Sequence, residues 1–391
     1  MCNQRKVGGS CGGINLLKIL LLTCLTTSSS SAFFEITSLS LGDASGVWRG
    51  VPEVHVDIGT SLHDRRNAQI CMDDTYWNTE IADAICQYHG FESYMVIKET
   101  TPPAQGFIFD GYAVCNRIEN SNVLLECEFR ETCDNVPTIS CKVPGYDGCY
   151  NETYTDPFFS NGVKADLGAQ SLDIQTCATA CSDSSYLGLT KGQDCICGST
   201  LGDRSLVGDC DLGCQGDDLQ ICGGSTSISV YNVDTLGRCI SEPVDLIPDE
   251  LLYITSPGFP GAATMMSCTW KVSINVQTLH NLEVLTVASL ASGNQLHITS
   301  QVIRVSLNGG NARSRVARKP YDYLQDTITV TYNASTLPGS TNFNIKFSLT
   351  ASTPLPTNIP VVDSTTSSAG RTLSSFIGFF VGVIVASLPF V

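Results

Sequence analysis

Motifs that carry chemistry are what this 391-residue sequence most lacks. It has no HExxH helix to hold zinc, no GxSxG elbow to present a nucleophile and no P-loop to cradle phosphate. Histidine is scarce: His55, His63, His89, His280 and His297 are scattered singly, and no nucleophile can be paired with a base. Positive charge is also short. Lys and Arg number 22 against 38 Asp and Glu, a formal net charge of -16, and no broad basic face is evident. Like charges repel, which excludes nucleic acid and anionic membrane as principal partners. The expectation is a binding protein that is not an enzyme and needs no cofactor.

The ends of the chain carry what the middle does not. Arg5 and Lys6 precede an apolar run from Ile14 to Leu25, and a serine-rich stretch closes on Ser30-Ser31-Ala32. That order of basic flank, short apolar core and small-residue exit is a secretory leader, expected over residues 1–32. A Ser/Thr/Pro-rich stalk, 351–370, leads into an apolar tail, 371–391. The tail lacks a following Lys or Arg, and the one nearby cation, Arg371, precedes its apolar run from Phe376. Small residues at Ser367, Ser368, Ala369 and Gly370 suit replacement of the tail by a glycosylphosphatidylinositol lipid, with Ser368 the expected attachment residue. A single spanning helix is the alternative. Either anchor places the protein on the outer face of the plasma membrane.

Cysteine is the one residue type in excess. Of nineteen, Cys2, Cys11 and Cys24 fall in the leader, leaving an even sixteen. They group as six (Cys71, Cys86, Cys115, Cys127, Cys133, Cys141), eight (Cys149, Cys177, Cys181, Cys195, Cys197, Cys210, Cys214, Cys222) and two (Cys239, Cys268). Each even group can close on itself, so an exported chain is expected to form disulfides within three modules, 33–143, 145–233 and 239–350. Metal ligation by Cys177, Cys181, Cys195 and Cys197 is the reading a cytosolic chain would invite. Asn151-Glu-Thr and Asn333-Ala-Ser are glycosylation acceptors, which belong on an exported surface.

Each module resembles a known family. Cys71-x-Asp73-Asp74, Trp77, Cys86-x3-Gly90-Phe91, Cys115, Leu124-Leu-Glu-Cys127, Cys133 and Cys141 resemble a scavenger receptor cysteine-rich (SRCR) domain. That resemblance implies the pairs Cys71–Cys133, Cys86–Cys141 and Cys115–Cys127, and Ca²⁺ at Asp73 and Asp74, since hard oxygen ligands suit that ion. Solvated turn carboxylates are the other reading of the two aspartates. The eight cysteines of the second module, with Asp194-Cys-Ile-Cys-Gly198 and Cys222-Gly-Gly224, resemble a WSC domain, a class linked to carbohydrate or extracellular-protein binding. Tyr150, Tyr154, Phe158, Phe159 and Tyr186 could stack on sugar or form a core. Ile254-Thr-Ser-Pro-Gly-Phe-Pro260 followed by Cys268-Thr-Trp270 resembles the opening of a CUB domain, a β-sandwich with one expected bridge, Cys239–Cys268. Alternating strands follow. Ala288 and Asn294 replace acidic residues that bind Ca²⁺ in many CUB domains.

The fold class expected is therefore mainly β, built of small α+β disulfide-rich modules and a β-sandwich. One basic cluster, Arg313, Arg315, Arg318 and Lys319, is expected in an exposed loop between strands, where guanidinium groups could hold sulfate or carboxylate. The order WSC then CUB is similar to the Kremen family, which implies a co-receptor for an extracellular protein ligand and modulation of Wnt signalling through Dickkopf. Capture of anionic or microbial glycans is the alternative function.

Overall fold

The alternation read from the sequence organises strands in every part of the chain. The structure, a computed structural model, describes residues 34–41, 47–57, 65–73, 77–102, 111–117, 125–152, 157–205, 207–240, 242–261, 263, 267–277, 279–317, 324–335 and 341–352. The expected leader, the stalk from residue 353 on, the tail and Ser368 lie outside the described residues, as do Asp74, Tyr154, Arg318 and Lys319. No helix among the described residues is long and apolar enough to cross a membrane.

In the first segment five strands close into a barrel, in the order β1 (Phe34–Leu41), β3 (Pro52–Asp57), β4 (Arg65–Ile70), β6 (Gly111–Arg117) and β7 (Leu125–Arg130). A three-stranded sheet stands beside it, in the order β2 (Arg49–Gly50), β8 (Val136–Cys141) and β5 (Tyr94–Thr100). Helix α1 (Thr79–Tyr88) begins where the Asn78 side chain accepts a hydrogen bond from the Ile81 amide at 3.1 Å, satisfying one orphan donor of the first turn. It buries Ile81, Ala82, Ala84, Ile85 and Cys86. It ends in a Schellman turn: the Phe91 amide reaches the Cys86 carbonyl at 2.9 Å and the Gly90 amide reaches Gln87 at 3.0 Å. That turn requires a left-handed residue, and Gly90 supplies it at φ +86.

The second segment is a five-stranded antiparallel sheet in the order β10 (Val163–Lys164), β12 (Asp194–Gly198), β11 (Tyr186–Thr190), β13 (Ser227–Asn232) and β9 (Tyr146–Asn151). Its helix, α2 (Ile174–Ala180), is capped by Asp173, whose side chain accepts from the Thr176 amide at 2.6 Å. The third segment pairs β14 (Val244–Asp245), β16 (Ser267–Val276), β19 (Leu324–Asn333), β17 (His280–Thr299), β20 (Asn342–Ala351) and β15 (Leu251–Thr255) in that order, with β18 (Arg304–Ala317) on the far side of β17. Strand β17 belongs to two layers. Its first half pairs β20 and its second half pairs β19, with an irregularity between Leu290 and Gln295 where it turns from one to the other. In β16 every second side chain points inward, from Cys268 through Trp270, Val272 and Ile274 to Val276, as a strand with one buried face requires.

Eight disulfides fall inside the three cysteine groups: Cys71–Cys133, Cys86–Cys141, Cys115–Cys127, Cys149–Cys210, Cys177–Cys195, Cys181–Cys197, Cys214–Cys222 and Cys239–Cys268. The apolar core does not respect those groups. One continuous cluster joins Trp48, Ile85 and Phe91 of the first segment, Leu187 and Tyr231 of the second, and Phe259 and Val287 of the third. Phe259 is fully buried, its ring centroid 6.3 Å from Trp48 in an edge arrangement and 6.4 Å from Phe91 in a stacked one. The Trp48 indole N–H donates to the Pro260 carbonyl at 2.9 Å, so the polar end of the largest buried ring is also satisfied.

Truncating that ring tests whether the segments are energetically joined. Trp48→Ala removes a buried aromatic and should cost about 3–5 kcal/mol. Trp48→Phe keeps much of the apolar area but orphans the Pro260 carbonyl, and should cost about 1–3 kcal/mol. Urea unfolding under non-reducing conditions, followed by near-ultraviolet dichroism, measures both. Equal stability of the alanine variant and the native chain would contradict the shared core.

Candidate functional site

The cysteines of the second segment carry no metal chemistry. Among the described residues, Cys177, Cys181 and Cys195 form the one group of sulfur, nitrogen or carboxylate atoms close enough to hold an ion, and all three are in disulfides. The aromatic side chains turn inward. Tyr150, Phe158 and Phe159 are buried together, Tyr150 stacked on Phe158 at 4.6 Å, with half-buried Tyr186 against them. Tyr150 donates its hydroxyl proton to Asp147 at 2.8 Å, and Arg204 pairs with the same carboxylate. Rings used this way make a core.

The structure places the remaining candidate residues in equally definite roles. Asp73 pairs with Arg130 at 2.7 Å, so its charge is already met by a guanidinium. Ala288 and Asn294 are buried, and the Asn294 amide donates to Thr341 Oγ1 at 2.7 Å and accepts from the Ser335 amide at 3.2 Å. Asn294 thus ties down a loop. Asn151 and Asn333 are exposed at the ends of β9 and β19.

The basic cluster requires a correction. Arg313 and Arg315 lie within strand β18, not in a loop, because residues 311–317 run in continuous register against Ser289 to Glu283 of β17. Register fixes what their side chains share a face with. Arg313, Val287, Asn344 and Thr255 stand opposite one another across β18, β17, β20 and β15; Arg315, Leu285, Lys346 and Tyr253 form the next row. That outer face packs on the end of α1. Arg313 lies over the Tyr88 ring at 3.9 Å and donates Nε–H to the Tyr88 carbonyl at 2.9 Å, while Asn344 Nδ2 reaches the Gly90 carbonyl at 3.5 Å. Burial lowers the proton affinity of the Arg313 guanidinium and of the Lys346 amine. Arg315 instead forms a forked pair with Glu283 at 2.9 and 3.0 Å on the surface. Arg313 is thus part of a joint between segments and Arg315 of a surface ion pair.

The second segment is fastened to the first by Arg49–Asp217 and Lys98–Asp218 ion pairs and by the Ser140 hydroxyl donating to the Leu219 carbonyl at 2.7 Å. At the entry to the third segment, Asp234, Arg238, Ile240 and Val244 of the connecting chain line a cleft of about 240 Å³ together with residues of β15 and β16. Leu252, Tyr253 and Trp270 supply its apolar side, and Asp234, Arg238 and Lys271 its polar side. Trp270 is held by an indole hydrogen bond to the Arg238 carbonyl at 2.9 Å, and Arg238 pairs with Asp234 at 2.6 Å. Lys271 is exposed. Burial raises the affinity of the Tyr253 hydroxyl for its proton, and the neighbouring Glu92 charge adds to that, which keeps the phenol neutral. A rigid aromatic wall with a satisfied indole and a polar rim is what a protein side chain or small amphipathic group can enter. Sequence reading missed this cleft because only folding brings the connection after Val233 against β15 and β16; the Trp270 inside an alternating strand was its visible trace.

A short helix and a five-stranded sheet under four disulfides define a cysteine-rich module, and residues 146–224 match the WSC domain. Human Kremen protein 2 is 31% identical over 140 residues, covering 34% of this chain and 29% of that protein. Kremen protein 1 of Xenopus laevis is 30% identical over 142 residues, 34% of this chain and 30% of that protein. A WSC domain-containing protein of Arthroderma benhamiae is 27% identical over 139 residues, 34% of this chain and 17% of its own length. The likeness to each relative thus spans less than a third of that relative. Among solved structures, the pre-peptidase C-terminal domain of collagenase from Bacillus anthracis aligns over 29% of this chain and 98% of its own at 10% identity and a TM-score of 0.17, too slight a likeness to bear on function.

The two arginines should separate under mutation. Arg315→Ala removes an exposed ion pair and should change stability by less than about 1 kcal/mol. Arg313→Ala removes a ring contact and a charged hydrogen bond and should cost about 2–3 kcal/mol. Proteolytic susceptibility of the α1 turn at residues 88–93 should rise only in the Arg313 variant. Equal behaviour of the two variants would show that the stacked contact carries no weight.

Proposed function

We propose that the protein is a non-catalytic binding protein or co-receptor of the cell surface, which presents three joined segments as one composite surface to an extracellular protein ligand. The observation that carries this reading is the cleft beside Trp270, walled by the chain that enters the third segment and by β15 and β16, on a chain whose three segments share one apolar core. A cleft walled by a connecting chain and by two strands discriminates only while both are held in place, and preorganisation of that kind is what gives an interface affinity. The likeness of the second segment to Kremen proteins supports a receptor role. Its narrower form is Kremen-like modulation of Wnt signalling. The first segment is read as SRCR-like and the third as CUB-like, the latter supported by the two-layered path of β17. The tail, 371–391, is read as a lipid-attachment signal.

Three measurements test this. The full chain displayed on cells is screened against an array of extracellular proteins, Dickkopf and Wnt-pathway ectodomains included, and against a glycan array. A protein ligand is expected, and Arg238→Glu with Lys271→Glu should weaken it at least tenfold by altering the cleft rim. Binding confined to glycans, or a protein ligand indifferent to the rim variant, would overturn the composite site. Phosphatidylinositol-specific phospholipase is expected to release the protein from cells, and its retention would overturn the lipid anchor.

A further inference from the structure

The joint between α1 and the third segment contains a group that no architectural need explains. His89 is the C-cap of α1, 6% exposed, and neither ring nitrogen has a hydrogen-bond partner. A neutral imidazole always carries one N–H and one acceptor, so a buried ring with both unsatisfied gives up favourable interactions that Phe or Leu would not have needed. The side-chain oxygen of Asn344, on the opposing sheet face, is also buried and unpartnered. The contact between these two surfaces is therefore poorly satisfied at its centre, although Tyr88 and Arg313 close it at the edge.

The charges around His89 oppose its protonation. Arg313 of β18 is the charge that acts on it, and the adjoining row of the same sheet face carries Arg315, Lys346 and Tyr253, with Glu283 beyond on β17. From its own segment Tyr88 lies edge-on at 5.5 Å, and Glu92 follows the helix turn but is engaged by Lys142 at 2.7 Å. Glu283 is likewise engaged by Arg315. The carboxylates that could receive an imidazolium are thus already paired, while Arg313 repels one.

We infer that this joint is a proton-sensitive latch: it is closed while His89 is neutral and is released on acidification, freeing the end of α1 from the outer face of β15, β20, β17 and β18. Burial first, and the Arg313 charge second, hold the imidazole to about 3, against its ordinary value near 6.5. An opened joint returns the ring to water and to that ordinary value. Only the open form takes up a proton between those limits, so the closed state has its full advantage above about pH 6.5 and loses about tenfold in its favour for each pH unit below. A receptor carried into an acidified compartment would loosen there, and with it any ligand that needs the first and third segments in register.

Hydrogen exchange of the intact mature chain, corrected for the intrinsic pH effect, reads the latch directly. Between about pH 7.4 and about pH 5.5, opening of residues 79–100 and 342–348 should rise about tenfold, with no change in residues 268–276 inside the sandwich. His89→Phe should abolish that rise, since the ring remains and the titration does not. A variant that fails to fold leaves a second reading: proton NMR of the histidine rings in the native chain. The His89 resonance should show no titration in the closed form near pH 6.5. Titration there with the joint still closed, or equal exchange at both pH values, would overturn the latch.

Discussion

Everything in this molecule depends on one ring being buried by three stretches of chain. Phe259 sits in a Ser-Pro-Gly-Phe-Pro turn that opens the third segment, yet it lies between Trp48 and Phe91 of the first, in the cluster that continues through Tyr231 of the second. Small modules bury too little surface to be comfortably stable alone. Disulfides answer part of that difficulty by restricting the unfolded chain, in the usual account. The shared aromatic core answers the rest, and it fixes where one segment stands against the next. The seat of Arg313 on Tyr88 is a consequence of that placement.

Charge is subordinate to it. On a chain of net charge -16 a local run of arginines looks like a site for anions. Its meaning changed once the strand register was known. Alternate residues of β18 share one face, and that face meets the end of α1, so Arg313 is spent on a ring and a carbonyl and Arg315 on Glu283. Asp73 is engaged in the same way by Arg130. Ion pairs of this kind add little energy each, but they determine which charges are left to meet a ligand.

Fold class was legible because cysteine spacing and two-residue alternation are local signals. The alternation from Cys268 to Val276 can be read by eye, and the helix at Thr79 is announced by Asn78 before it and Gly90 after it. The WSC match rests on the same kind of signal, a set of spacings. What could not be read was every contact between segments. Nothing in the residues flanking His89 shows that its ring is covered by a sheet about two hundred residues later, and nothing around Phe259 distinguishes a turn residue from a core residue. Gly309 and Gly310 take positive φ inside β18, where its register against β17 shifts.

The account stands on the three segments forming one cooperative unit, and differential scanning calorimetry of the intact mature chain with its disulfides oxidised tests that most directly. A shared core predicts one transition whose calorimetric and van't Hoff enthalpies agree, as for a single two-state body. Two or three resolved transitions, each with the enthalpy of a separate module and unmoved by Phe259→Ala, would contradict it.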